Sequence, residues 1–324
     1  MCHRCRMTTQ WIAAGALTLG LATNLLANNW PQWRGPNGNG VVEAGKYPTA
    51  FSPSENVLWK TPLPGPGSST PAVWGNQLFL TAGVTEDQNA DEEAPRNDAM
   101  LCYDLKGKEQ WRVLFGKERK GKHRNGSGSN PSPVTDGQHV FAYYKSGTVV
   151  ALDLVGKLAW KQNLQELYGK DTLWWDLGTS PILAGGNLVI AVMHEGESYL
   201  VAFEKGSGKV AWKTARQFDC KEESDQSYAT PVVIKAGEAE HIITWGADHL
   251  TAHDVNGGAL VWTCGGFNPN NEAMWRQIAS PAISDGIAVV PFGRAKHLAA
   301  VKLSGKGDIT KASRLWDKQG LGSD

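Results

Sequence analysis

The sequence predicts an all-β fold made of repeated four-stranded units, and two observations carry that expectation. Trp59, Trp111, Trp160, Trp212 and Trp262 stand 52, 49, 52 and 50 residues apart. So large a side chain recurring at a period of about fifty residues marks a repeated supersecondary unit. The second observation is punctuation. A Ser or Thr precedes Pro at Thr70-Pro71, Ser132-Pro133, Ser180-Pro181, Thr230-Pro231 and Ser280-Pro281. A glycine follows each, at Gly75, Gly137, Gly185, Gly237 and Gly286. Pro suits the first residue of a strand, where its missing N–H costs least, and Gly supplies the turn that follows.

Residues 131–163 give the unit most clearly. Pro131 to Thr135 enters as a short strand, and Asp136-Gly137 turns the chain. Gln138 to Lys145, rich in Val, Phe and Tyr, reads as a second strand. Ser146-Gly147 turns again, Thr148 to Leu154 is a β-branched third strand, and Leu158 to Asn163 is a fourth. Four antiparallel strands per period make one blade of a β-propeller. No segment sustains a helical period, which argues against a helical solenoid.

The ends and the composition narrow the class. Residues 1–27 read as a signal peptide: Arg4 and Arg6 open it, and Trp11 to Ala27 is apolar apart from Thr18, Thr23 and Asn24. The expectation is an exported chain, periplasmic or extracellular, with no stable membrane span once the signal is cleaved. Cys2 and Cys5 would leave with it. Residues 28–54 form an N-terminal segment available as a closing strand, and 55–324 form the propeller. Cys102, Cys220 and Cys264 remain, an odd number that does not describe a disulfide framework. Cys102, inside an apolar run, reads as a buried small residue. The chain carries 32 basic and 32 acidic residues, and loss of Arg4 and Arg6 leaves 30 against 32. That balance gives no case for nucleic acid as a partner.

The stretch before each tryptophan is more specific. Ala202, Glu204, Gly208 and Trp212 share their spacing with Ala252, Asp254, Gly258 and Trp262. Asp104-Gly107-Trp111 and Asp153-Gly156-Trp160 are the same with one residue fewer in the turn. This template resembles the tryptophan-docking motif of the PQQ-like (pyrroloquinoline quinone repeat) β-propeller family, over roughly residues 55 to 316. The opening Trp30-Pro-Gln-Trp33-Arg-Gly-Pro36 also resembles the N-terminus of exported members. The resemblance implies that Trp59, Trp111, Trp160, Trp212, Trp262 and Trp316 are structural, packing between neighbouring blades. It also implies seven or eight blades closed by pairing terminal strands. Here five blades and the first step of a sixth are visible. Trp316 arrives late, after an insertion around Asp308 to Arg314, so the pattern leads us to expect a C-terminally truncated product.

Propellers concentrate function in the loops feeding the innermost strands. These loops hold Ser68-Ser69, His123-Arg124-Asn125, Trp174-Trp175-Asp176, Tyr228 and Trp275-Arg276-Gln277. Seven of their residues are the candidate ligand- or partner-binding set: His123, Arg124, Trp174, Trp175, Tyr228, Trp275 and Arg276. Aromatics beside Arg and His suit a protein partner, a sugar or a flat polar ligand. The plainer reading is that Trp175 and Trp275 pack loops onto blade ends. The basic run 117–124 and the acidic run 86–98 read as solvated loops. The acidic run lacks the ligand spacing of an EF-hand.

PQQ-dependent alcohol dehydrogenases share such repeats. They use a calcium ion, a catalytic Asp, a Trp under the quinone and typically a disulfide of adjacent cysteines. This chain has no Cys-Cys pair, haem attachment, phosphate loop or nucleophile elbow. Asp176 and Asp219 are carboxylates that nothing identifies as a base. We therefore expect no catalytic residues, no metal site and no cofactor. The expected function is an exported, non-catalytic scaffold binding a protein partner in the cell envelope. It looks most like the scaffold-type members, some of which assist outer-membrane protein assembly. The alternatives are a PQQ- and calcium-dependent oxidoreductase with an atypical site, and a carbohydrate or small-ligand binding module.

Overall fold

A computed structural model describes residues 29–42, 44–87, 91, 94–124 and 126–322. The signal segment, Asn125 and most of the acidic stretch 88–93 lie outside the described residues.

Twenty strands pair into five antiparallel units of four, in chain order within each. The first unit is Ala72–Trp74, Gln77–Val84, Asn97–Asp104 and Glu109–Lys117; the second is Val134–Thr135, His139–Tyr143, Thr148–Asp153 and Leu158–Asn163. The third is Ile182–Ala184, Asn187–Val192, Tyr199–Glu204 and Val210–Ala215. The fourth is Val232–Ala236, Ala239–Gly246, His249–Asp254 and Leu260–Cys264. The fifth is Ala282–Ser284, Ile287–Phe292, His297–Lys302 and Arg314–Gln319. The fold is a β-propeller.

The middle strands are near-continuous apolar runs because both their faces are covered. Val140, Ala142 and Tyr144 pack with Phe79, Met100 and Cys102 of the first sheet. The intervening Phe141 and Tyr143 pack with Leu188, Ile190 and Phe203 of the third. The second, third and fourth sheets thus each share one core with the sheet before and another with the sheet after, with strand period two deciding which residue serves which. Cys102 is fully buried, and all three described cysteines are free thiols.

The Ser/Thr before each Pro has a second role. Thr70 N–H donates to the Ser132 hydroxyl (2.9 Å), Ser132 to Ser180 (2.9 Å), Ser180 to Thr230 (3.0 Å) and Thr230 to Ser280 (2.9 Å). A serial chain of hydroxyl–amide bonds therefore stitches the first strands of all five sheets side by side. This places them innermost and satisfies buried amides that no strand partner reaches.

At the outer edge, rings sit on turn glycines. Trp160 donates its indole N–H to Lys205 O (2.7 Å), and a Cβ on Gly208 would come within 2.6 Å of the ring. Only glycine fits there, since Gly208 also has a φ of +68°. Trp111 lies likewise against Gly156, and Trp212 against Gly258. Trp59 donates to Leu105 O (2.7 Å) and packs on Gly107, although residues 53–60 join none of the five sheets. Counting by tryptophan rather than by sheet therefore shifts the register by one. Ala300 to Trp316 is the outer half of the fifth sheet, not the start of a sixth.

The insertion before Trp316 has a structural use. Gly307–Asp308 pairs in parallel with Trp262 and Thr263, adding a fifth strand to the fourth sheet. The following turn of helix, Thr310–Ser313, is tied to it by Gly265 N–H to Thr310 Oγ1 (2.8 Å). Trp262 is consequently 1% exposed, against 40% for Trp316.

Among the described residues of 29–54, the expected closing strand reduces to one antiparallel bridge onto a sheet, Trp30 to Val73. The segment crosses the far ends of the inner strands instead. Pro31 O accepts from Thr135 N–H (2.8 Å), and Arg34 donates to Pro281 O (2.8 Å) and Ser280 O (3.3 Å). Trp30 and Pro31 thereby strap the first and second inner strands, and the long Arg34 side chain reaches back to the entry of the fifth. No helix among the described residues is long and apolar enough to cross a membrane.

Candidate functional site

The loops that lead into the five inner strands converge on one pocket of about 540 Å³. Every sheet contributes to it. Ser68 precedes the first, His123, Gly126 and Asn130 the second, Trp175, Asp176 and Gly178 the third, Tyr228 the fourth, and Arg276 and Ile278 the fifth. A second cavity, about 500 Å³, lies at the strapped end, between Trp33, Asn37 and the inner strands of the third and fourth sheets. It draws on two sheets only.

Asp176 is the hub of the pocket wall. Its carboxylate pairs with the Lys145 ammonium, the two side chains being 7% and 2% exposed. It also accepts from the backbone N–H groups of Lys122 (2.7 Å) and His123 (2.9 Å). Burial alone would raise its pKa. The Lys145 bond and the two amides outweigh that and hold it below the ordinary carboxylate value. A carboxylate so engaged is an anchor for the 117–124 loop rather than a base. Asp219, the other carboxylate considered, is exposed and does not line the pocket.

The opposite wall is a second neutralised pair. Arg276 bonds Glu223, and its guanidinium carbon lies 5.8 Å from the centre of the Trp175 ring. Trp175 meets His123 edge-on at 6.2 Å and takes its backbone support from the Tyr228 hydroxyl (3.4 Å). Tyr228 donates in turn to Gln226 Oε1 (2.8 Å). Burial pushes the phenol up to about 12, so it stays a neutral donor at physiological pH.

Four of the seven sequence candidates therefore meet in one cavity: His123, Trp175, Tyr228 and Arg276. The other three do not line it. Trp174 is 56% exposed and carries the Lys122 ammonium 4.1 Å from its ring centre. Trp275 packs against the core of the fourth and fifth sheets, 5.8 Å from the His297 ring. Arg124 is exposed on the rim. The residues missed in sequence were Lys145, Glu223, Asn130 and Ile278. Lys145 alone left a signal, a charge closing the apolar run Val140 to Tyr144.

A family model described as outer membrane protein assembly factor BamB, of the PQQ-like repeat class, matches residues 41–222 and again 177–312. The chain belongs to this family. No curated protein matches it. Among solved structures, the quinohemoprotein alcohol dehydrogenase from Comamonas testosteroni is similar at 12% identity, with a TM-score of 0.59, covering 94% of this chain and 52% of that one. A europium-containing methanol dehydrogenase gives 10% identity and a TM-score of 0.54, over 78% of this chain and 51% of that one. BamB from Moraxella catarrhalis gives 14% identity and a TM-score of 0.48, over 79% and 76%. At such identities the dehydrogenase likeness is one of fold alone. This chain spans about half the length of those two dehydrogenase structures.

The pocket's donor set tests the cofactor that such repeats imply. PQQ is a tricarboxylate, and its calcium needs several oxygen ligands. The lining offers one guanidinium, already bonded to Glu223, and one carboxylate, already bonded to Lys145. Among the described residues no group of three or more His, Cys, Asp or Glu is arranged to hold a metal ion. These residues do not fit PQQ with calcium.

Proposed function

We propose that this chain is a protein-binding scaffold of the cell envelope, engaging its partner at the pocket end of the propeller. The observation that carries this is the convergence of loops from all five sheets on one aromatic-walled cavity whose charges are internally paired. A site built that way offers shape and packing, the currency of interface anchors, and both of its carboxylates are already engaged with cations. The strap across the opposite end leaves the pocket end as the open approach to the centre. The matched family's description, an outer membrane protein assembly factor, supports the envelope and the scaffold role.

A second reading, a carbohydrate or small-ligand module, is favoured by one feature: Ser68, Asn130 and Tyr228 put neutral polar groups beside the Trp175 ring. One experiment separates these readings. The purified full-length protein and its Trp175→Ala variant are used as bait in an envelope extract, probed on a glycan array, and titrated with PQQ and calcium. The scaffold reading expects a protein enriched by the wild type and lost with Trp175→Ala. Glycan binding without protein enrichment would favour the second reading. Stoichiometric quinone uptake with dye reduction on adding alcohols would overturn both.

A further inference from the structure

The pocket's interior and its rim differ in charge. Inside, the charged groups are matched: Asp176 with Lys145, and Arg276 with Glu223. On one side of the mouth the 117–124 loop presents Lys122 and Arg124, both exposed. Neither forms an ion pair with any carboxylate among the described residues. These cations are not on a loose tail. The loop is pinned at Lys122 and His123 by the Asp176 carboxylate, and at its base by Arg119 to Asp171 (2.5 Å). On the other side, beside the Glu223–Arg276 pair, Lys221 and Glu222 are both exposed. The mouth is therefore basic toward the second sheet and mixed in charge toward the fourth.

We infer that the mouth takes a partner segment with one aromatic side chain flanked on one side by acidic residues. This rests on the scaffold reading above and names the partner's chemistry. The aromatic group fills the hollow between Trp175, Tyr228 and Ile278. The acidic flank lies along Lys122 and Arg124, the side of the mouth where the exposed charge is of one sign. A peptide fits better than an acidic sugar. A pyranose ring wants an open aromatic face, and the most exposed ring at the mouth, Trp174, has its face taken by the Lys122 ammonium. Trp175, the ring inside, is only half-exposed and has its indole N–H buried.

The test is fluorescence anisotropy on the full-length protein with labelled peptides bearing a Trp and a one-sided flank of three Asp or Glu residues. The comparison ligands are the same peptide with a Lys flank, the same with Trp replaced by Ala, an oligouronate and a single-stranded oligonucleotide. The acidic-aromatic peptide should bind, and both altered peptides should bind at least roughly tenfold more weakly. Lys122→Ala with Arg124→Ala should cost about tenfold and flatten the salt dependence. Both residues are exposed, and unchanged thermal melting would confirm folding. Equal binding of the Lys-flanked peptide, an oligouronate or oligonucleotide that binds as tightly, or no peptide binding at millimolar concentration would each overturn the inference. The two proposals fail separately. If Trp175→Ala abolishes partner enrichment while the double Ala variant leaves it intact, the acidic flank is wrong and the scaffold stands. If neither variant changes enrichment, both fall.

Discussion

Replacing Asp176 by Asn should damage the protein through Lys145. The two side chains are 7% and 2% exposed, so the ammonium has almost no access to water. After the substitution the ammonium keeps its bond to the Lys120 carbonyl, at 3.3 Å. Leaving one charge of a buried pair uncompensated costs about 3–5 kcal/mol. A second cost arises at the loop. The carboxylate accepts from two backbone amides through different oxygens, and the carboxamide can accept through only one. With a urea m-value of about 3 kcal/mol/M, the midpoint should fall by about 1 M or more. Adding Lys145→Met removes the stranded charge, so the double variant should be more stable than Asp176→Asn alone, a coupling of the kind double-mutant cycles measure. Limited proteolysis should cut the single variant faster within 117–124, because two of the loop's anchoring bonds are weakened. The reasoning is refuted if Asp176→Asn moves the midpoint by less than about 0.2 M, or if the two substitutions simply add.

Three further outcomes follow from the same structure. Ser180→Ala deletes the acceptor for the buried Ser132 N–H, and should lower unfolding free energy by about 1–3 kcal/mol, with Ser180→Thr near neutral. Trp160→Ala removes a 7% exposed ring packed between Phe141 and Phe203, and should cost about 3–5 kcal/mol in the same urea assay. Burial raises Asp248 from 3.8 to about 6, against the opposing bonds from Asn268 and Cys220. The folded state then holds more protons than the unfolded chain between those values, so this group's contribution falls as pH rises from about 4 to about 6. Asp248→Asn should remove that slope, making the urea midpoint gain more, or lose less, than wild type between pH 4 and pH 7. An unchanged difference between the two proteins would contradict the assignment.

The fold was legible because its determinants are local and repeated. The acid and Gly before Trp111, Trp160, Trp212 and Trp262, and the Ser or Thr before the strand-entry prolines, are short-range signals whose spacing carries the meaning. Even so, the hydroxyl chain from Thr70 to Ser280 was invisible. Each hydroxyl serves the neighbouring sheet, about fifty residues away in sequence, and a strand-entry pattern does not say where a side chain points. The insertion at Asp308 to Arg314 was located, but its return to pair with Trp262 was not. The candidate loops were found because propeller topology gathers them at one end. Which of their residues share a cavity depends on rotamers and partners. Trp275 turns into the core beside His297, Trp174 turns out under Lys122, and Trp175 alone of the three walls the pocket. Glu223 escaped notice because an acidic residue in a polar loop looks solvated until Arg276 is placed against it.

The central claim is that partners are met at the pocket end. A photo-crosslinking amino acid at position 278, on the pocket lining, tests it most directly against one at position 238, in the exposed turn at the strapped end. In envelope extract, the probe at 278 should give a discrete protein adduct that vanishes with Trp175→Ala, and the probe at 238 should give none. An adduct from 238 with nothing from 278 would place the interface at the wrong end and contradict the account.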